Sequence, residues 1–194
     1  MQFIVSTIAF MAGLASASPA VIPRGVGTTF NLLSVVDSTT INPFPELATG
    51  NRWVVGARNG QAIVTQDRTL GALFYEYGSG PSVGTANVGI TITPGGTATI
   101  PNGKPIELVN NSATTDVKIA NNALGIPVLT FQEGGRFQVC KNDDGFFLSY
   151  IAPGQRQLAA CAVVFLISNC SSTGTGQESV GQLGEPIEVG CQPH

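Results

Sequence analysis

The chain has 194 residues, a net charge of −3 and only 11% charged side chains, against about 25% in an ordinary globular domain. Nine basic residues scattered singly form no stripe that could follow a phosphate backbone, so nucleic acid is not an expected partner. Twenty-four glycines and twelve prolines, with many Ser, Thr and Asn residues, favour turns and sheet over helix.

Phe3 to Leu14 form an apolar run too short to cross a bilayer, followed by the small residues Ala15, Ser16 and Ala17. Residues 1–17 are therefore predicted to be a secretory signal peptide. Residues 18–27 carry two prolines and two glycines without periodicity and are expected to form an irregular arm; residues 28–194 are expected to be a single secreted β domain. No later window has the length of a membrane helix, so no membrane partner is expected.

From Thr28 the pattern is that of strands. Phe30 to Val36 make a β-rich run that INPFP ends. Arg52 to Val55 and Ala62 to Thr65 flank Asn59-Gly60, a pair suited to the positive φ of a two-residue hairpin turn. Leu70 to Tyr77 reads as a strand apolar on both faces, and Ala86 to Thr93 alternates cleanly, with Pro94-Gly95-Gly96 as turn and Thr97 to Ile100 as its return. Short runs follow at Ile106 to Val109, Asp116 to Ile119 and Pro127 to Phe131; Ala120 to Gly125 offers one helical turn at most. Arg136 to Cys140 and Phe146 to Tyr150 are predicted to pair through an Asp144-Gly145 turn. Cys161 to Ile167 (CAVVFLI) is the most apolar run after the signal segment and is expected to be a central strand buried on both faces. A Gly/Ser/Thr-rich stretch then precedes a last short strand at Pro186 to Cys191. About twelve strands with no helical periodicity predict an all-β fold: a single-domain antiparallel sandwich or barrel, with a β-trefoil as the alternative.

The four cysteines, Cys140, Cys161, Cys170 and Cys191, lack metal-knuckle or redox spacing and are expected to form disulfides. Cys140 to Cys161 would clamp two strands across a hairpin, and Cys170 to Cys191 would hold the Gly/Ser/Thr-rich stretch, so this sequential pairing is predicted over the two crossed ones. Asn110 and Asn169 head N-x-S/T sequons and are candidate glycosylation sites, Asn110 the better placed of the two in a polar turn.

The only histidine is His194, which leaves no rigid imidazole for a nucleophilic triad, and no metal or other cofactor is expected. The catalytic alternative is a carboxylate pair of the glycoside hydrolase type, with Glu76 between Tyr75 and Tyr77 as its best candidate. Trp53, Tyr75 and Tyr77 are the candidate ligand-binding aromatics, and for the lone Trp53 a core packing role is the favoured reading.

Three passages, FNLLSVVDSTTINPFPELATGNRWVVGAR, IVTQDRTLGALFYEYGSG and VCKNDDGFFLSYIAPGQRQLAACAVVFLIS, resemble the secreted PhiA-like cell-wall proteins of filamentous fungi, a group that includes proteins labelled IgE-binding and elicitors of plant defence. The middle passage has fewer glycines than the family pattern, an N-terminal cysteine pair is missing, and the Cys170 and Cys191 pair is additional. The resemblance implies a secreted or wall-associated fungal protein without known enzymatic residues; the leading expectation is an extracellular, non-enzymatic monomer whose partner is a cell-wall polysaccharide or a host extracellular protein. It carries no catalytic residue over to this chain. A lectin-like carbohydrate-binding module and a carboxylate hydrolase are the two alternatives.

Overall fold

The computed structural model describes residues 25–48, 52–78, 80, 82–85, 87–97, 99–100, 103–171 and 183–193. The expected signal peptide, residues 18–24 of the expected arm, most of the Gly/Ser/Thr-rich stretch and His194 lie outside the described residues.

Two hairpins and one inserted strand set the architecture. In the first, β2 (Phe30–Val36) leads through a four-residue helix, α1 (Pro45–Ala48), into β3 (Trp53–Arg58), which turns back as β4 (Gln61–Thr65). The turn is Asn59-Gly60 with φ of 53° and 75°, both left-handed, as the twist of a two-residue hairpin demands. In the second, β11 (Arg136–Asn142) pairs with β12 (Gly145–Ile151) over seven positions. Its turn residues are Asp143 and Asp144, not the expected Asp144-Gly145: Asn142 Oδ1 accepts the Asp144 N–H at 3.0 Å, and Gly145 (φ 121°) already opens the return strand. The third element, β13 (Cys161–Cys170), is inserted between β11 and β2, pairing Phe137 to Cys140 on one side and Phe30 to Val36 on the other.

The ring closes where Phe147 of β12 meets Ile63 of β4, giving a six-stranded antiparallel barrel in the order β2-β3-β4-β12-β11-β13. A trefoil would run around its ring in chain order with a threefold repeat. Here β11 and β12 are exchanged and β13 crosses over, so the barrel is not a trefoil.

Period two decides what fills it. On β13, Ala162, Val164 and Leu166 point inward and join Phe30, Leu32, Trp53, Val55, Phe137, Val139 and Leu148 in one core. The outward set is Cys161, Val163, Phe165, Ile167 and Asn169; Phe165 is 43% exposed and Ile167 half-buried, so the run is buried on both faces except at these two.

The remaining strands extend the sheet. β8 (Glu107–Asn110) continues from β4, followed by β7 (Val88–Thr91), β6 (Ser82–Thr85), β5 (Tyr75–Tyr77) and β14 (Pro186–Ile187). A separate hairpin of β9 (Lys118–Asn121) and β10 (Pro127–Thr130) branches from β13 through Val128 and Ile167. Its loop is no helical turn: Asn122 Oδ1 accepts N–H bonds from Leu124 and Ile126, and Gly125 takes a φ of 73°.

Three further expectations are corrected. Gly25–Gly27, expected within the irregular arm, is strand β1, paired with β15 (Val189–Cys191); a Cβ on Gly25 would stand 2.7 Å from Cys170 Sγ, so the glycines there let the strand pack on a disulfide. Leu70 to Tyr77 is not one strand, because Asp67 caps a 3-10 turn at Arg68–Leu70 through Thr69 and the strand starts only at Tyr75. Thr97 and Ile100 do not pair as a return strand: Thr97 N–H donates to Ile100 O at 2.7 Å and Ile100 N–H to Thr97 Oγ1 at 3.0 Å, so the two bond to each other; Ala98 between them lies outside the described residues. The predicted disulfides are both present, Cys140–Cys161 and Cys170–Cys191. Cys140 and Cys161 stand directly opposite each other in the β11–β13 register.

Candidate functional site

Two elements share one flank of β13. β11 pairs with its first half through Cys161 to Val164, while β10 touches the second half only at Ile167. The chain linking them, Phe131 to Gly135, must leave the sheet and come back, and it does so through Gln132 (φ 54°) and Gly134 (φ 79°), with Gly135 N–H donating to Gln132 O at 3.2 Å. The Tyr150 hydroxyl, buried, donates to Phe131 O and pins this turn to β12; a side chain on Gly135 would collide with that phenol. What remains between the β9–β10 hairpin, the turn and β13 is an open groove of about 1070 Å³.

Its floor is apolar, with Val128, Val163 and the exposed ring of Phe165, while Asn121, Asn122 and Gln132 supply amides around it. Two carboxylates, Asp116 and Glu133, and two cations, Lys118 and Arg136, are spread along the rim, so neither sign of charge prevails. Phe165 is the cross-strand partner of Val35, itself 44% exposed, and the pair carries the apolar strip over β2 into a second hollow of about 450 Å³ bordered by Asp37, Thr40, Asn42 and Leu47. An open groove with an aromatic face and amides around it suits a ligand that offers C–H faces and hydroxyls.

The candidate ligand-binding aromatics are elsewhere and covered. Trp53 points into the barrel, edge-on to Phe146 with centroids 5.4 Å apart, and its indole N–H donates to Glu46 O at 3.3 Å. Tyr75 and Tyr77 are buried on β5, and burial, with a smaller contribution from Tyr75, pushes the Tyr77 phenol up to about 12. All three are packing residues, because none presents a ring face to solvent.

Glu76, the candidate catalytic acid, is 7% exposed. Its Oε2 accepts the Ile119 N–H at 2.7 Å, which bolts the β9 strand to β5. Desolvation raises its pKa, opposed by that hydrogen bond and by the Lys118 charge. A carboxylate committed to a backbone N–H under this cover is a structural link, and it does not line the groove. Among the described residues no group of three His, Cys, Asp or Glu side chains is placed to hold a metal ion.

Asn110 ends β8 with its side chain exposed. Asn169 is only 6% exposed on β13, opposite Asn31, and the next residue is tied into a disulfide, so this sequon has no room for a glycan in the folded chain. The groove itself escaped sequence reading for a definite reason. CAVVFLI is apolar at every position, so nothing in it says that Phe165 alone is left uncovered.

No protein-family model, curated protein or solved structure matches this chain. The geometry alone therefore carries the functional argument. Two disulfides and, among the described residues, no helix long and apolar enough to cross a membrane are compatible with an extracellular protein.

Proposed function

We propose that this chain is an extracellular, non-enzymatic barrel protein that binds a cell-wall polysaccharide along the groove beside β13, as a monomer of the PhiA-like type found at fungal walls. The observation that carries the reading is the exposed Phe165 ring on the floor of a groove of about 1070 Å³ with amides around it. A pyranose chain buries C–H faces on an aromatic ring and exchanges hydroxyl hydrogen bonds with amides, and this groove offers both. The two carboxylates that line it, Asp116 and Glu133, are both exposed, and neither has the burial by which a hydrolase tunes its general acid, which favours binding without turnover. Exposure of the Asn110 side chain favours that residue as the glycan carrier, leaving the groove uncovered.

Co-sedimentation with insoluble chitin, β-glucan and mannan tests the reading. Retention on one of these polymers is expected, with Phe165→Ala weakening it about tenfold, the equivalent of about 1.4 kcal/mol. Retention on none of them, together with binding to a host extracellular protein, would replace the polysaccharide with that partner. Release of reducing ends, lost in Glu133→Gln or Asp116→Asn, would overturn the non-enzymatic reading.

A further inference from the structure

A third, smaller hollow lies on the outward face of the barrel, separate from the groove and from the hollow beside β2. Asn31 and Asn169 are cross-strand partners, as are Leu33 and Val54, and together they floor a pocket of about 130 Å³ where β13, β2 and β3 run side by side. The 3-10 turn at Arg68–Leu70 covers one side, fixed by the Ala72 N–H donating to Val55 O at 3.1 Å and by the close approach of Gly56 to the Leu70 carbonyl. Arg68 from that turn and Arg52 from the start of β3 both line the pocket.

The charges there are uncompensated. Neither guanidinium takes part in an ion pair among the described residues. Asp67, next to Arg68, is committed to its own turn, with Oδ1 accepting from Thr69 N at 2.9 Å and from Thr69 Oγ1 at 2.6 Å. Asp37 is spent in the same way on Thr39. In an acidic chain with so few cations, two arginines converging on one small pocket is a local reversal of sign. The amides add neutral polar groups: Asn31 Nδ2 is held by Ala72 O at 2.9 Å, which fixes the orientation of its side chain.

We infer that this pocket binds the carboxylate of a small acidic sugar, a uronate, with Arg52 and Arg68 as the ligands of the carboxylate and the two asparagines beside its hydroxyls. The planar guanidinium fork matches a carboxylate in two-point fashion. The volume is below the roughly 150 Å³ of a cavity that takes one benzene ring, so it admits the carboxylate end of one sugar, whose ring stays at the open mouth, and not a longer chain. Leu33 and Val54 give the ring an apolar wall.

Titration calorimetry of the full chain with free glucuronate or galacturonate at low ionic strength, beside glucose and inorganic phosphate, tests this. A uronate is expected to bind at least tenfold more tightly than glucose. Arg52→Gln and Arg68→Gln, both exposed positions, should each weaken it about tenfold, Arg68→Lys less, and added salt should weaken it further. Arg136→Gln at the groove should leave it unchanged, which keeps this site distinct from the polysaccharide reading. Equal binding of glucose, uronate binding indifferent to both arginines, or binding of phosphate without the uronates would each overturn the proposal. Capture of a peptide C-terminus in preference to the uronates would overturn it too.

Discussion

Glu76 and Tyr150 are the residues whose own chemistry the fold changes most usefully. Burial holds the Glu76 carboxyl above its ordinary 4.5, so the folded protein keeps that proton more tightly than the unfolded chain does. The resulting stability is complete below the unfolded value and is lost as pH rises through the raised folded value. Glu76→Gln keeps an oxygen for the Ile119 N–H without the charge. Urea unfolding across this window should show the wild type losing stability toward neutral pH and the Gln variant losing less. Glu76→Ala leaves the Ile119 N–H without its acceptor and should cost about 1–3 kcal/mol. Tyr150 runs in the alkaline direction: burial pushes its phenol up to about 12, so its contribution is present below the ordinary value of 10 and is lost as pH climbs through the folded one. Tyr150→Phe strands the Phe131 carbonyl, and about 1–3 kcal/mol should go with it. Hydrogen exchange at the Gly135 amide, in the turn beside the groove, should quicken in the same variant. Unchanged exchange there would mean that the phenol does not hold the groove wall.

Among the elements, the hairpins were the part most legible in the sequence, and their success has a local cause. Asn59-Gly60 meets a backbone requirement that few other residue pairs can meet, so the turn can be read without knowing the rest of the fold. Asp143-Asp144 was missed by one residue because Asp-Gly is the commoner signal, while the deciding contact is the side chain of Asn142. Gly25–Gly27 has no periodicity to read, since its role is to let a strand approach a disulfide that is remote in sequence. The two disulfides each close a sequence separation of 21. In the chain-entropy model each therefore contributes about 3 kcal/mol. Replacing either pair by serine should lower the melting temperature by about 6–12 °C for a domain of this size. A much smaller shift for Cys170→Ser with Cys191→Ser would indicate that the β1–β15 sheet is held without its bridge.

For the whole molecule, chain composition sufficed for the all-β class but not for the ring order, because the exchange of β11 and β12 depends on β13 entering between β11 and β2. The candidate site shares that dependence. Trp53, Tyr75 and Tyr77 are aromatics near polar residues in the sequence, yet strand phase turns Trp53 into the core and β5 is covered on both faces, while phase leaves Phe165 outward in a run with no polar residue to mark it. The groove exists because β10 and β11 share one flank of β13 without meeting, so its floor and one wall belong to the barrel while the other wall is the branching β9–β10 hairpin. Amide chemical-shift mapping during titration with a soluble oligosaccharide of the retained polymer is the most direct test of the central claim. The account predicts saturable shifts confined to residues 128–137 and 163–165 and to the β9–β10 loop, absent in Phe165→Ala. Shifts that leave these residues untouched and fall on another face of the barrel would contradict it.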